Sequence, residues 1–136
     1  MSEPSPEPQR RIATVALVVA GYDEAIAWYT QKLGFMLFED VDLGDGKRWV
    51  TVGPAQGGVR LLLAEASTEQ QQTRVGDQTG GRVFLFLETD DFARDHAAML
   101  VAGVTFREAP RREAYGIVAV FADLHGNLWD LIEPRR

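Results

Sequence analysis

Residues 12–34, IATVALVVAGYDEAIAWYTQKLG, join two segments with different hydrophobic periods. The first nine residues form an apolar run rich in β-branched side chains, as in a buried strand. In the segment that follows, three residues share one helix face: Ile26, Tyr29 and Leu33. Asp23 is the predicted N-cap, and Gly34 stands where a helix ends in a left-handed turn. This stretch therefore predicts a strand followed by a helix.

The same order returns in the second half of the chain. The helix-ending glycines Gly34 and Gly103 lie 103 − 34 = 69 residues apart, each after a strand and a helix of similar length. Three apolar residues are predicted on one face of the second helix: Phe92, Met99 and Leu100. In each half, three strands separated by glycine-containing turns follow the helix. An internal repeat of one supersecondary unit carries more weight for the fold than any single element.

The repeat predicts an α+β fold of two tandem βαβββ modules, which form a curved mixed sheet around a concave pocket. We expect a disordered lead-in over residues 1–10, a first module over 11–65, a polar linker over 66–81 and a second module over 82–134. Residues 11–134 form one structural domain in this prediction. In each module the helix covers one face of the sheet and leaves the other face open.

Composition excludes several classes of function. A net charge of −6 argues against electrostatic binding of nucleic acid. The absence of cysteine excludes disulfides, thiolate metal sites and cysteine nucleophiles. No apolar run approaches the roughly 20 residues of a membrane helix. The opening stretch MSEPSPEPQRR lacks a signal-peptide pattern, so we expect a cytoplasmic protein without a membrane partner.

Two motifs carry a resemblance to a known family: AIAWYTQKLGF at the first helix and DLHGNLWDLIE at the end of the chain. With the paired modules, they resemble the vicinal oxygen chelate superfamily, which contains glyoxalase I, bleomycin-resistance proteins and extradiol dioxygenases. The similarity covers residues 11–134 and is specific for the fold rather than for the reaction. It implies a small-molecule ligand and a homodimer whose sites are completed by the partner's module.

The resemblance also implies where a divalent metal would bind. Family spacing places the four ligand positions, otherwise His or Glu, at Thr14, Leu61, Phe84 and Asp130, with an uncertainty of one residue at Leu61. Only Asp130 is a competent donor, because leucine and phenylalanine offer no ligand atom. The neighbouring residues Arg60 and Leu62, which the one-residue uncertainty admits, offer no metal-ligand atom either. The two histidines are interpreted as a turn residue, His125, and a solvent-flanking helix residue, His96. We therefore expect no metal cofactor.

Strand alternation predicts which side chains line the pocket with Asp130. Trp129 and Leu131 should face the helices. The predicted ligand-binding residues are Thr14, Trp49, Phe84, Phe86, Tyr115 and Asp130, with Glu88 on the same face and Arg48 at the rim. Ile117 and Phe121 share the parity of Tyr115. Such an apolar, aromatic pocket suits a small organic ligand.

Each of these residues also has a structural interpretation. Trp49 could serve packing, the two phenylalanines could fill the volume of a lost metal, and Asp130 could pair with Arg48 or Arg82. Two functions remain open at this point. The first is a metal-free binding protein similar to the bleomycin-resistance branch. The second is a glyoxalase-, isomerase- or dioxygenase-like enzyme, in which Asp130 acts as metal ligand or as acid/base, with Glu88 or Tyr115 assisting.

Overall fold

The two halves of the chain repeat one order of strands and helices in the computed structural model, which describes residues 7–136. The first half contains β1 (Thr14–Val19), α1 (Tyr22–Lys32), β2 (Met36–Gly44), β3 (Lys47–Gly53) and β4 (Arg60–Glu65). The second half contains β5 (Val83–Glu88), α3 (Phe92–Ala102), β6 (Thr105–Phe106), β7 (Arg111–Glu113), β8 (Gly116–Ala122) and β9 (Leu128–Pro134). A short helix, α2 (Glu69–Gln72), lies in the predicted linker. The predicted paired βαβββ architecture is confirmed.

Each half forms its own mixed sheet. The first sheet has the order β1-β4-β3-β2, and β1 pairs with β4 in parallel. The second has the order β5-β9-β8-β6, with β7 also paired to β8 and with β5 parallel to β9. Of the predicted strand VTFREA, only Thr105 and Phe106 form β6, and β7 is a separate strand that follows a gap at residues 107–110. The Glu108 side chain fills the gap, because its Oε1 accepts a hydrogen bond from the Val120 amide at 3.1 Å.

Glycines end both helices as predicted, but the helix starts differ from the prediction. Gly34 and Gly103 have φ values of 69° and 92°, in the left-handed region that favours glycine. The N-cap of α1 is Gly21 rather than Asp23, which lies in the first turn. In α3, Asp91 is the N-cap, and its side chain accepts from the Arg94 amide at 3.1 Å.

One hydrophobic core joins the two modules. The helix-covered faces of both sheets contribute to it, through Leu17, Val50, Leu63, Ala119 and Leu131 among others. At its centre the Tyr29 ring of α1 lies 6.0 Å from the Trp129 ring of β9. Leu100 does not join Phe92 and Met99 in this core, because 51% of its surface is exposed. The prediction for Leu100 was wrong because the face of α3 that contacts the core is narrow and buries only Phe92 and Met99.

The predicted lead-in lies partly outside the described residues, which begin at residue 7. Residues 7–13 contain no helix or strand and are exposed. Among residues 7–136, no helix has both the length and the apolar character needed to cross a membrane.

Candidate functional site

The sheet faces turned away from the core carry most of the predicted site residues. We call the uncovered side of each sheet its open face. In the second sheet the register places Phe86 and Val120 on either side of Asp130, and Glu88 lies two residues beyond Phe86. Trp129 and Leu131 point into the core, as predicted, with exposures of 3% and 1%. Asp130 is therefore an acid on an open face, flanked by apolar neighbours.

Asp130 is nearly buried and lacks a partner. Its residue exposure is 8%, and within residues 7–136 no donor reaches its buried Oδ1. Loss of hydration on burial raises the pKa of this carboxyl, the positive charge of Arg111 opposes that rise, and the negative charge of Glu108 adds to it. An acid in this setting holds its proton more tightly than an exposed aspartate.

The predicted ion pair between Asp130 and Arg48 does not form. Arg48 belongs to the other module, where its guanidinium binds Asp40 at 2.7 Å and Asp23 at 2.8 Å. It also lies over the Tyr22 ring, 5.1 Å from the centroid. The side chain of Arg48 follows the parity opposite to that of Trp49, so it faces α1 rather than the rim of the open face. No ion pair joins Arg82 to Asp130 within the described part of the chain.

Sequence reasoning missed the charged cluster beside Asp130. Arg111 donates from Nε to both carboxylate oxygens of Glu108 at 3.0 Å, and from Nη1 to Glu113 at 2.7 Å. Its guanidinium also contacts the Tyr115 side chain. The alternating charges of the segment REAPRRE, residues 107–113, were the available signal. Only the hairpin of β7 and β8 brings these side chains next to β9.

In the first sheet, the open face carries Thr14 and Trp49. Thr14 is exposed and pairs in register with Arg60. Trp49 is 38% exposed and lies opposite Val41 of β2. The predicted metal-ligand position Leu61 is corrected by one residue, because Leu61 is 3% exposed and packs in the core. The open-face neighbour is Leu62, which pairs with Thr51.

Phe84 and Phe86 have different surroundings, although both were predicted to line the pocket. Phe84 lies at an irregularity in the pairing of β5 with β9, and its ring meets Trp129 edge-on at 6.2 Å. It thus packs against the core. Phe86 is 63% exposed on the open face. A bulge of this kind shifts strand parity, which a simple alternation rule does not foresee.

Tyr115 lies in the turn between β7 and β8 and is 54% exposed. Its carbonyl accepts from the Arg135 amide at 2.8 Å. Ile117 and Phe121 do not share its surroundings. Phe121 is fully buried and stacks on Trp129 at 5.8 Å, and Ile117 packs against the same core. The β7–β8 turn separates Tyr115 from the alternation of the strand.

A buried polar cluster organises the DLHGN segment. The Asp123 carboxylate accepts from the Tyr29 hydroxyl at 2.6 Å, the Trp129 indole at 3.2 Å and the Asn127 amide at 2.9 Å. Burial and the neighbouring Asp123 charge raise the pKa of Tyr29 well above its usual value. His125 is a turn residue, and its Nε2 accepts from the Ala20 amide at 3.2 Å. This motif therefore links the modules.

His96 is half-buried on α3, partly exposed as predicted. Its ring stacks on Phe92 with centroids 5.2 Å apart and meets Phe106 edge-on at 4.5 Å. Because it packs against aromatic side chains of α3 and β6, the ring lies on the helix-covered side of the second sheet. It offers the open face no additional metal ligand.

The donor set at the family metal positions does not fit a divalent ion. At these positions Thr14, Leu62 and Asp130 lie on the open faces and Phe84 packs against the core, and Asp130 alone carries a carboxylate. Mid-size divalent ions in proteins take several oxygen or nitrogen donors. Over residues 7–136, no group of three or more His, Asp or Glu side chains could hold a metal ion.

Two cavities lie away from these residues. One of 370 Å³ is bordered by Glu88, Thr89, Asp90, Pro134 and Arg136 at one end of the second sheet. The other, of 210 Å³, lies between residues 76–82 and the end of the β8–β9 turn, with Arg82 and Arg107 at its margin. Thr14, Trp49, Phe86 and Asp130 line neither of these two cavities.

A comparison with models of known protein families identifies the family of this chain. The model of the Glyoxalase/Bleomycin resistance protein/Dioxygenase superfamily matches residues 11–131. The chain belongs to this superfamily. The match spans the first module, the motif at the first helix and the second module up to Leu131, two residues before the second motif ends. Superfamily membership establishes the fold and leaves the reaction open, because its members differ in chemistry.

Similar superfamily proteins include two bacterial relatives of undescribed function. An uncharacterized protein of Shewanella frigidimarina is 52% identical over 127 residues, which cover 92% of this chain and 94% of the relative. The uncharacterized protein YurT of Bacillus subtilis is 32% identical over 129 residues, covering 90% and 98% of the two chains. The similarity therefore extends over nearly the whole length of each protein.

Two solved structures are close in both sequence and shape. UcmS2 is 29% identical, with a TM-score of 0.80 and coverage of 93% of this chain and 99% of that chain. TnmS3, an antibiotic binding protein from Streptomyces sp. CB03234, is 25% identical, with a TM-score of 0.76 and coverage of 95% and 99%.

Proposed function

We propose that this superfamily member binds a small organic ligand on its open faces without the superfamily's metal and without chemical conversion. The observation that carries the proposal is that three of the four metal-ligand positions hold Thr14, Leu62 and Phe84, which leaves Asp130 as the single carboxylate. Exposed aromatic side chains on the same faces, Trp49 and Phe86, suit a planar apolar ligand. The similarity to TnmS3, an antibiotic binding protein, supports the same class of function.

The proposed site includes a second copy of the chain. β2 is a nine-residue edge strand, and four of its apolar side chains are exposed: Met36, Leu37, Val41 and Leu43. A long apolar edge strand is a surface that proteins normally cover. A partner module over the open faces would convert an exposed surface into a groove. We therefore propose that the protein acts as a homodimer, and that it does so in the cytoplasm.

Metal analysis of the purified protein separates this proposal from a metal-dependent enzyme. We expect far less than one equivalent of Zn, Ni, Fe or Mn per chain after purification without chelator. A relative with intact His and Glu ligands, purified in parallel, serves as the positive control. Close to one tightly bound equivalent per chain would overturn the metal-free proposal.

A thermal-shift screen of antibiotics and aromatic metabolites tests binding directly. A ligand that binds the folded state stabilises it by mass action, by about 2.7 kcal/mol at a concentration one hundred times its Kd. We expect hits to be planar and apolar, and to quench the fluorescence of Trp49. Trp49→Leu should weaken their binding, while Trp28→Leu reports nonspecific loss of fluorescence. Failure of the whole library to shift the transition would contradict the proposal.

A second candidate is a metal-free acid–base enzyme. This candidate is favoured by the raised pKa of Asp130, since acid–base residues often have shifted pKa values. A second carboxylate, Glu88, lies on the same face, two residues beyond Phe86, which pairs with Asp130. In this case the bound ligand would be converted during incubation, and Asp130→Asn would abolish conversion while binding remained. Mass spectrometry of recovered ligand distinguishes it from simple binding.

A further inference from the structure

The side chain of Asp130 contains an acceptor for which the described chain provides no donor. Its Oδ1 is buried, and the residue is 8% exposed. Buried carboxylate oxygens are normally hydrogen-bonded, because loss of water without a replacement partner costs free energy. The flanking positions in the sheet belong to Phe86 and Val120, which donate nothing from their side chains. Within residues 7–136 no group donates to this oxygen, so the position is open to a donor from a bound ligand.

Arg111 is the nearest positive charge, but its guanidinium is already engaged. Its Nε donates to both oxygens of Glu108, and its Nη1 donates to Glu113 at 2.7 Å. One cation thus contacts two glutamates, and Asp130 feels the charges of both Arg111 and Glu108. Glu88 adds a further carboxylate on the same face, with Arg136 near it. Four carboxylates thus stand against two guanidinium groups, and this excess of negative charge favours a cation.

Phe86 supplies an apolar surface next to this carboxylate. It pairs in register with Asp130, so the two side chains project from adjacent strands on one face. Its ring is 63% exposed and free to contact a planar group. Aromatic rings also attract cations that lie over their faces. The juxtaposition matches a ligand with a charged donor close to an aromatic body.

We propose that the ligand of this site is an aromatic amine, whose protonated nitrogen donates to Asp130 Oδ1 while its ring system lies against Phe86. This inference rests on the proposed binding function and specifies the chemical class of its ligand. A cationic N–H forms a charge-assisted hydrogen bond with a carboxylate, which is stronger than a bond between neutral groups. An anionic ligand of the same shape would meet the excess of carboxylates instead.

Three probes of matched size test the class: 2-naphthylmethylamine, 2-naphthalenemethanol and 2-naphthoate. Calorimetric titration of the full-length protein near neutral pH measures each affinity. We expect the amine to bind at least about tenfold more tightly than the alcohol, and the carboxylate to bind least. This comparison within the wild-type protein needs no variant and therefore does not depend on the stability of a mutant.

Asp130→Asn then identifies the residue responsible. We expect this variant to lose about tenfold in affinity for the amine and less than about threefold for the alcohol. Asp23→Asn, on helix α1 with a side chain 87% exposed, is the matched control and should retain the wild-type preference. Circular dichroism of each variant checks that the fold persists.

The outcomes distinguish this inference from the broader proposal. Equal affinity of the three probes, tighter binding of 2-naphthoate, or an amine preference that survives in Asp130→Asn would overturn the amine assignment. The binding function would still stand if any of these probes, or another compound of the library, bound to the open face. If none of the three probes binds, the amine assignment is wrong, and the wider thermal-shift screen alone decides the binding function.

Discussion

At the scale of single residues, Asp130 and Asp123 have the same side chain and a similar burial but differ in their hydrogen bonds. Both are buried acids near the end of the chain, with exposures of 8% and 7%. Asp123 accepts hydrogen bonds from Tyr29, Asn127 and Trp129. Asp130, on an open face, has an oxygen that no donor reaches among residues 7–136. A satisfied acid stabilises the fold, whereas an unsatisfied one is a candidate for ligand contact.

Asp130 should make the stability of the protein fall as pH rises. Its folded-state pKa is raised by burial, so the folded state holds the proton more tightly than the unfolded state. Its stabilising contribution is present below the unfolded pKa and is lost as pH rises through the folded pKa. In urea unfolding from acidic to neutral pH, Asp130→Asn should therefore lose less stability than the wild type. Parallel pH curves for the two proteins would contradict this.

Gly76 and Gly80 provide a matched pair for a test of the contact between the linker and the β8–β9 turn. Both have positive φ, 78° and 66°. A Cβ at Gly76 would lie 2.1 Å from the His125 carbonyl oxygen, whereas a Cβ at Gly80 would meet nothing within 4 Å. Gly80→Ala should cost about 1 kcal/mol from backbone strain alone. Gly76→Ala should cost more than about 3 kcal/mol, because backbone must also move. Equal costs in chemical denaturation would refute the close approach.

At the scale of elements, the two helices begin in different ways. The Asp91 side chain caps α3, while α1 begins at Gly21 without a side-chain cap. Asp23 instead binds Arg48 from the first turn, and its side chain is 87% exposed. The same residue type therefore has a structural role in one module and a surface role in the other.

Replacing each aspartate by alanine should reveal this difference. Asp91→Ala should lower the free energy of unfolding by about 1 kcal/mol, because the Arg94 amide loses its acceptor. Asp23→Ala should change it by less than about 0.5 kcal/mol, since exposed ion pairs contribute little and Arg48 keeps Asp40. Thermal or urea unfolding of both variants decides the matter. A larger effect at Asp23 would be inconsistent with the assigned caps.

The elements were predictable because their signals are local. The period of the apolar residues and the glycines at 34 and 103 suffice to predict the repeat, and the structure agrees. The register of the strands was harder to predict from the sequence. Leu61 was placed one residue away from the open face, and the bulge at Phe84 turned a predicted pocket residue toward Trp129. These features depend on pairing partners distant in sequence, which strand alternation alone does not contain.

The charged cluster beside Asp130 could not be predicted from the sequence for the same reason. Glu108 lies in the connection between β6 and β7, and Arg111 is the first residue of β7. Pro110 follows the predicted strand and keeps β7 separate from it, as expected for a residue without an amide hydrogen. The sequence contained the interruption, but the approach of Arg111 to the β9 carboxylate appears only in three dimensions.

At the scale of the whole molecule, the modules share their cores and leave their binding surfaces uncovered. The helix-covered sides meet around Tyr29 and Trp129. The opposite sides expose Trp49 and Phe86 to solvent. A chain arranged in this way has a stable interior without needing a partner, while its proposed site needs one.

Val41→Lys should weaken the proposed homodimer. Val41 is 50% exposed on the edge strand β2, opposite Trp49, and a lysine there would have to lose hydration in the interface. Light scattering should give about twice the chain mass of 15.1 kDa for the wild type and a value closer to one chain for the variant. Val101→Lys, at a 90% exposed position on α3, is the control and should remain dimeric. A monomeric wild type at assay concentration would exclude the dimer.

The bond between Tyr29 and Asp123 also makes the two halves non-interchangeable. The first module contributes the hydroxyl, and the second contributes the acceptor in its last turn. The corresponding turn of the first module, GPAQGG over residues 53–58, contains no acid. A chain built from two copies of the first half would therefore lack the carboxylate that receives the tyrosine hydroxyl, so the repeat needs one copy of each half.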